Sequence, residues 1–342
     1  MKAVVIERHG GGEVLQLRDL SLPALRPSLV RVRVKAVALN HLDLWVRGGL
    51  PGLKVAFPHR LGSDVAGVVE EVGSDVQGVE AGSAIVVNPG LSCGRCRECL
   101  SGRDNFCRAY AILGEHVSGG YGELLDVPAQ NLCPKPAKLS FEEAACIPLT
   151  FLTAWQMLVE RAALRPGETL LVQAAGSGVG AAAVQIGKLL GARVLATAGS
   201  DDKLARARSL GADEILNYEK EDFAKAARAL TGKRGVDVVF EHVGEKTWSG
   251  SLVALAPGGR LVTCGATTGH DARVDLRHLF AKQYSLLGST MGSKGALFDI
   301  LAHVDSGRLR PVLDRVLPLE KAADAHHLLE DRAQFGKIVL VP

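Results

Sequence analysis

Two kinds of hydrophobic patterning divide the chain. Up to about residue 130, short apolar runs such as 29–37, 65–72 and 84–87 are broken by Gly, Pro, Asn and Ser, which reads as a β-rich region. Val30–Val34 alternates Val with Arg, the period of a strand with one buried face. The glycine tracts Gly48–Gly52 and Gly119–Gly122 predict turns. Near Leu149 the pattern changes. Apolar runs at 169–174, 193–198, 214–216, 236–241, 260–264 and 285–289 alternate with helical stretches at 178–190, 201–210, 222–230 and 247–255. Continuous apolar strands joined by helices predict an α/β architecture with a doubly wound, six-stranded parallel sheet covered on both faces. After Gly292 come a helix at 294–306, an extended piece at 312–318, a helix at 322–331 and a last strand at 337–341. That tail is too short to fold alone and is expected to rejoin the first region. The expected domains are therefore 1–150 with 292–342, and an inserted 151–291.

Composition narrows the class. The chain has 342 residues, 47% of them hydrophobic and 23% charged, with a net charge of +3, which suits a packed two-domain protein. So small a charge, without like-charge blocks, gives no support for a nucleic-acid or membrane partner. Neither a secretory leader nor an apolar run of about 18 residues is legible, so a cytoplasmic location is expected.

The first strand of the parallel region leads into Ala175-Gly176-Ser177-Gly178-Val179-Gly180 and then a helix. Glycines at a strand-to-helix turn let a pyrophosphate approach the backbone at a helix N-terminus, so this segment reads as a Rossmann dinucleotide site. The spacing is G-x-G-x-G rather than G-x-G-x-x-G, and an ordinary tight turn is the bland alternative. The second strand ends in Ala198-Gly199-Ser200, with no acid before Asp201. A carboxylate there holds the ribose hydroxyls of NAD. Its absence, with Lys203 and Tyr218 nearby, favours NADP(H) over NAD(H). Glu241-His242 ends the fourth strand and Gly265 through Gly269 follows the fifth; both are expected to border the cofactor.

Four of the seven cysteines form Cys93-x2-Cys96-x2-Cys99-x7-Cys107, between Gly94 and Gly102. Four thiolates on a glycine-hinged loop at 90–110 suit one structural zinc. Arg95, Arg97, Arg103 and Arg108 offset the tetrathiolate charge. An iron–sulfur cluster is the chief alternative, although the fourth spacing is long and no Cys-Pro follows. Cys133, Cys146 and Cys264 read as buried apolar residues.

With these segments, Gly62-Ser63-Asp64-x2-Gly67-x5-Gly73, Pro148-Leu149-Thr150-x2-Thr153-Ala154 and Leu210-Gly211-Ala212-Asp213, the chain resembles the medium-chain dehydrogenase/reductase superfamily over nearly its whole length. The resemblance implies a GroES-like catalytic domain carrying a Rossmann domain, an active site in the cleft between them, and a homodimer or homotetramer. Zinc-dependent alcohol dehydrogenases of that superfamily hold a catalytic metal through a Cys and a His. Here Asn40 stands for the Cys, Ser63 for the His and Asp64 for the adjacent Glu. The Asn40 and Pro148-Leu149-Thr150 segments are similar to the zinc-free quinone oxidoreductase and enoyl reductase branch, which generally uses NADPH and includes acryloyl-CoA reductases.

The expectation is an enzyme that transfers hydride between NAD(P)H and a small carbonyl-type substrate, an activated enone, enoyl thioester or quinone, with no catalytic zinc. Asn40 is the candidate amide donor, Thr153 a nicotinamide contact, and His41 with Asp43 a candidate proton relay, each with a turn or helix-cap role as its alternative. His59 is a candidate cleft residue. Specificity is assigned to the loops at 45–54, 116–122 and 267–271. Two other readings stay open: an alcohol dehydrogenase with an irregular zinc on His41, His59, Asp64 and Cys146, and a nicotinamide-binding protein without turnover.

Overall fold

The computed structural model describes residues 1–342. Two compact units result, one of Met1–Leu152 with Gly292–Pro342 and one of Thr153–Met291. No helix is long and apolar enough to cross a membrane.

The first unit is built on strand Leu29–Ala38. One edge pairs antiparallel with Asp64–Val72 along its length; the other takes Leu124–Pro128 near one end and Lys337–Val341 near the other. Sheet order continues outward through Ala84–Val87 to Leu132–Pro134, and through the last strand to Leu313–Pro318. The alternation at Val30–Val34 works as expected: Val30, Val32 and Val34 face a core shared with Val65, Val69, Val87, Leu125 and Ile338. Arg33 lies outside, but Arg31 is buried. It sits opposite Asp126 in the ladder and binds it with two bonds of 2.9 Å. That bidentate geometry makes burial of a guanidinium tolerable.

Two elements were not legible. Helix His41–Gly48 occupies what read as a polar turn, and hairpin Lys2–Val5/Gln16–Asp19 precedes the first predicted strand. Helix Ala322–Glu330 is fastened to the unit through His326, which is fully buried. Arg47 has only donors, so its 3.1 Å contact makes His326 Nδ1 the acceptor and leaves the Nε2 hydrogen for Tyr121 Oη, 3.0 Å away. Arg47 also pairs with Glu330. Tyr121 in turn packs on Gly62, where φ is +94° and a Cβ would lie 2.5 Å from the ring. This is the close approach for which the Gly62-Ser63-Asp64 segment needs its glycine.

The second unit is a six-stranded parallel sheet in the order Glu214–Asn217, Arg193–Ala198, Thr169–Val172, Val236–Glu241, Leu255–Thr263, Ser285–Gly288. This is the doubly wound Rossmann order, with its switch point between the strands ending at Val172 and Glu241. Helices Gly178–Leu189, Asp201–Ser209 and Phe223–Leu230 are capped by Ser177, Ser200 and Asp222, whose side chains accept from amides of the first turn. The strand expected at 260–264 is longer. It starts at Leu255 and runs through Pro257-Gly258-Gly259 with a register shift in the ladder. An irregular ladder absorbs the Pro and the two Gly there.

Burial, followed by the charge of Arg47, lowers the pKa of His326 to about 3. An unfolded chain titrates this histidine near 6.5. Between those values the unfolded state binds a proton that the folded state refuses, so stability is lost as pH falls through the window. About 2 kcal/mol of loss is expected between pH 6.5 and 4.5 from this residue. In denaturant melts at the two pH values, His326→Gln is expected to remove most of that difference.

Candidate functional site

The cysteine loop folds as a compact lobe. Left-handed Gly94 and Gly102, with φ of +71° and +72°, turn the chain back twice. All four Sγ atoms lie within 4.8 Å of one another, with Cys93–Cys99 at 3.9 Å and Cys96–Cys99 at 3.4 Å. A tetrahedral ion with Zn–S bonds of about 2.3 Å needs sulfur–sulfur edges of about 3.8 Å. The four donors thus fit one such ion and leave no room for several irons. Backbone amides of Arg95 and Cys96 face the Cys93 sulfur and lower its pKa to about 6, which favours the thiolate that a metal binds. The lobe is tied to helix Lys294–Asp305 by Asp104, which accepts from the Lys294 backbone amide at 2.8 Å and from its ammonium at 2.9 Å. Of the four basic residues, Arg103 pairs with Glu98 at 2.7 Å.

A second polar group sits in the same unit at three adjoining strand ends. Lys337, Asn40 and Asp64 are 4%, 7% and 0% exposed. Lys337 Nζ donates to Asn40 Oδ1 at 2.6 Å and to Asp64 Oδ2 at 2.9 Å. Asn40 Nδ2 donates to the same Asp64 oxygen at 2.9 Å, while Asp64 Oδ1 accepts from the Leu149 amide at 2.6 Å. Asp43 lies beside this group. Its two oxygens accept from the amides of Asn40 at 2.7 Å and Gly62 at 2.8 Å. Burial outweighs those bonds and raises its pKa to about 6.

Several expected roles are corrected here. Both Asp43 oxygens hold backbone amides, so the carboxylate fixes the start of helix His41–Gly48 and the Gly62 turn. The His41 ring lies tilted beside that of Trp45, with centroids 6.5 Å apart. His59, expected to line the cleft or the surface, is 2% exposed and bonded to the Gly114 carbonyl at 3.1 Å. Ser63 donates to the Leu113 carbonyl at 2.7 Å, and Cys146 donates its thiol to the Glu142 carbonyl. Burial pushes the Cys146 pKa strongly up.

In the second unit the glycine loop leaves strand Thr169–Val172 as expected. Gly180 is required because a Cβ would lie 2.5 Å from the Ala174 carbonyl. Ala174 itself adopts φ +45°, and Ala174 and Ala175 donate their amides to Thr197. Ser200 caps the next helix through the Lys203 amide. Asp201, the acid after the strand, is engaged by Asn217 at 2.7 Å and by Lys220 at 2.5 Å. Tyr218 lies over Gly199, whose Cβ would come 3.0 Å from its hydroxyl.

Glu241 was expected to line the cofactor; it is instead wholly buried. Its Oε1 accepts from the amides of His242, Val243 and Gly244 at 2.9, 2.7 and 3.1 Å, and Thr247 and Ser251 hydroxyls complete its shell. It fixes the loop after its strand. His242 Nε2 lies 2.9 Å from the Gln173 carbonyl and 3.3 Å from Ser177 Oγ, at the glycine loop. Thr153 is buried in the second unit, and Gly265 follows strand Leu255–Thr263.

Comparison with known proteins agrees with this picture. Residues 26–137 match the alcohol dehydrogenase GroES-like domain and residues 178–306 the zinc-binding dehydrogenase family. The quinone oxidoreductase of Rattus norvegicus is 31% identical over 349 residues, spanning 100% of this chain and 98% of that protein. A solved structure described as an NAD-dependent alcohol dehydrogenase is 55% identical, with a TM-score of 0.97 and 100% of both chains covered. The cobalt- and zinc-bound thermostable alcohol dehydrogenase from Pyrobaculum aerophilum is 36% identical, with a TM-score of 0.91 over 100% of this chain and 99% of that one.

Purified without chelators, the protein is expected to carry about one zinc per chain by elemental analysis. Cys107→Ser removes one of four ligands and is expected to bring that figure close to zero, with earlier thermal unfolding.

Proposed function

We propose, for a chain that belongs to the medium-chain dehydrogenase/reductase superfamily and is a nicotinamide-dependent oxidoreductase within it, that the reaction is hydride transfer to an activated carbonyl-type acceptor without a catalytic metal. Enones, enoyl thioesters and quinones are the acceptor class.

The observation that carries this reading is the ammonium of Lys337 against Asn40 and Asp64. Asn40 stands where related zinc enzymes use a cysteine ligand, and here a protein cation already engages its oxygen and that of the neighbouring Asp64. A divalent ion would have to displace it. Among the other candidates, His59 is bonded to Gly114 and Cys146 to Glu142, and Ser63, at the histidine position, to Leu113. An amide and a hydroxyl are poor zinc ligands even when free.

Bound at the Rossmann unit, the nicotinamide supplies hydride from C4. The chain's own task is to stabilise charge that develops on the acceptor oxygen. In an enone or quinone that charge is delocalised, so a neutral amide donor suffices where an unactivated ketone needs a Lewis acid. Asn40 is assigned that donor role. Thr153 is assigned to the nicotinamide amide. NADP(H) is proposed over NAD(H), because the strand end at Ala198-Gly199-Ser200 presents no acid and the charge of Asp201 is met by Lys220. Lys203 and Tyr218 then receive the 2′-phosphate.

A second reading, alcohol oxidation, is favoured by the 55% identical structure described as an NAD-dependent alcohol dehydrogenase. Substrate and metal discriminate the two. Small enones, a crotonyl thioester and a p-quinone are expected to be reduced at least about 100-fold more efficiently than simple ketones, in protein carrying about one zinc per chain. Preferred turnover of primary or secondary alcohols with about two zincs per chain would reverse the assignment. In the reductase, Asn40→Ala is expected to lower kcat about 100-fold and to leave the dissociation constant of the reduced cofactor unchanged. Lys203→Ala is expected to raise KM for NADPH about tenfold, equivalent to a lost charge-assisted contact, with little change for NADH; the ratio of the two kcat/KM values reads this out.

A further inference from the structure

Lys337 is the first residue of the last strand, yet it is more deeply buried than almost any lysine in a folded protein should be. Val339 and Leu340 pair with Ala38 and Val37, Ala38 pairs with Asp64, and the Leu39 amide donates to Ile338. Three strand ends therefore carry Lys337, Asn40 and Asp64 to one point across 297 positions of sequence.

Stability does not explain that choice. Removing an ammonium and a carboxylate from water costs several kcal/mol, and an apolar trio of similar volume commonly does as well or better. What the trio supplies is orientation. A carboxamide has two nearly isosteric ends, and nothing in its shape fixes which is which. Lys337 can only donate and an ionised Asp64 can only accept. Asn40 must then turn Oδ1 to the ammonium and Nδ2 to the carboxylate. The flipped amide would set N–H against N–H⁺ and oxygen against oxygen. The lock uses one Nδ2 hydrogen on Asp64. The other has no acceptor in the protein, which leaves it for a ligand oxygen.

We infer that Lys337 is a positioning residue for hydride transfer: its ammonium, held by Asp64, fixes the Asn40 amide in the one orientation that donates to the acceptor carbonyl. This inference rests on the reductase reading above, in which Asn40 is the donor. Lys337 acts through Asn40 and needs no contact with the substrate.

The test is a double-mutant cycle on the full-length holoenzyme, with a small enone as acceptor and C4-deuterated reduced cofactor. Lys337→Met is expected to lower kcat about 10- to 100-fold, as misplacement of a reacting group does. Cofactor binding, followed by its fluorescence, should stay unchanged, and the deuterium isotope effect on kcat should rise as hydride transfer becomes limiting. Lys337→Arg keeps the donor-only charge and should recover most of the rate. With Asn40→Ala as background, Lys337→Met should have no further effect on kcat, because the group it positions is gone. Should Lys337→Met fold poorly, Lys337→Met/Asp64→Asn leaves no unpaired buried charge and is expected to show the same loss. An unchanged kcat in Lys337→Met, or losses that multiply with Asn40→Ala, overturns the inference while the reductase reading stands. An Asn40→Ala enzyme with undiminished kcat overturns both.

Discussion

Water is kept from the ammonium of Lys337, and much of the first unit is arranged around how that charge is met. Asp64 supplies the balancing carboxylate from the start of one strand and Asn40 an amide from just beyond the end of another. The second oxygen of Asp64 holds the Leu149 amide near the start of helix Pro148–Trp155. Neither charge is tolerable without the other in so dry a place. The trio consequently ties together segments that the chain synthesises far apart. It also settles the polarity of the site. A protein cation engages both Asn40 and Asp64 through oriented hydrogen bonds.

The same device recurs at smaller scale. A carboxylate offers about four acceptor positions, and this chain uses buried ones to gather backbone amides at bends. Asp43 gathers those of Asn40 and Gly62. Glu241 gathers three successive amides and two hydroxyls where its strand ends beside the glycine loop. Each fixes the bend beside its own helix or strand through backbone amides. Asp43, which first suggests a proton relay, and Glu241 thus both serve as clamps.

Periodicity made the second unit legible. Its strands are mostly apolar, most of its helices start at Ser or Asp caps, and its sheet order is what short right-handed crossovers produce. The cysteine lobe was legible because ligand spacing is local. The polar trio was not. Lys337 sits in Gly336-Lys337-Ile338-Val339-Leu340, where a lysine opening a strand reads as solvent-facing. Only the pairing of the last strand with Leu29–Ala38 reveals its surroundings, and that pairing is a long-range fact. Arg31 and His326 escaped for the same reason: their partners lie 95 residues away at Asp126 and 279 away at Arg47. Asp43 and Glu241 were given other roles, since local sequence does not show which backbone amides each will hold.

The discontinuity of the first unit bears on how the molecule is made. Its sheet takes strands 29–38 and 64–72 from early in the chain and 337–341 from the very end. A ribosome delivers the Rossmann unit whole before that last strand emerges, and domains commonly fold as they are completed. Until the terminal residues leave the exit tunnel, Asp64 stays without its counter-ion and the edge of Leu29–Ala38 near Val37 stays open. This stretch of the sheet therefore closes only after the Rossmann unit has been made.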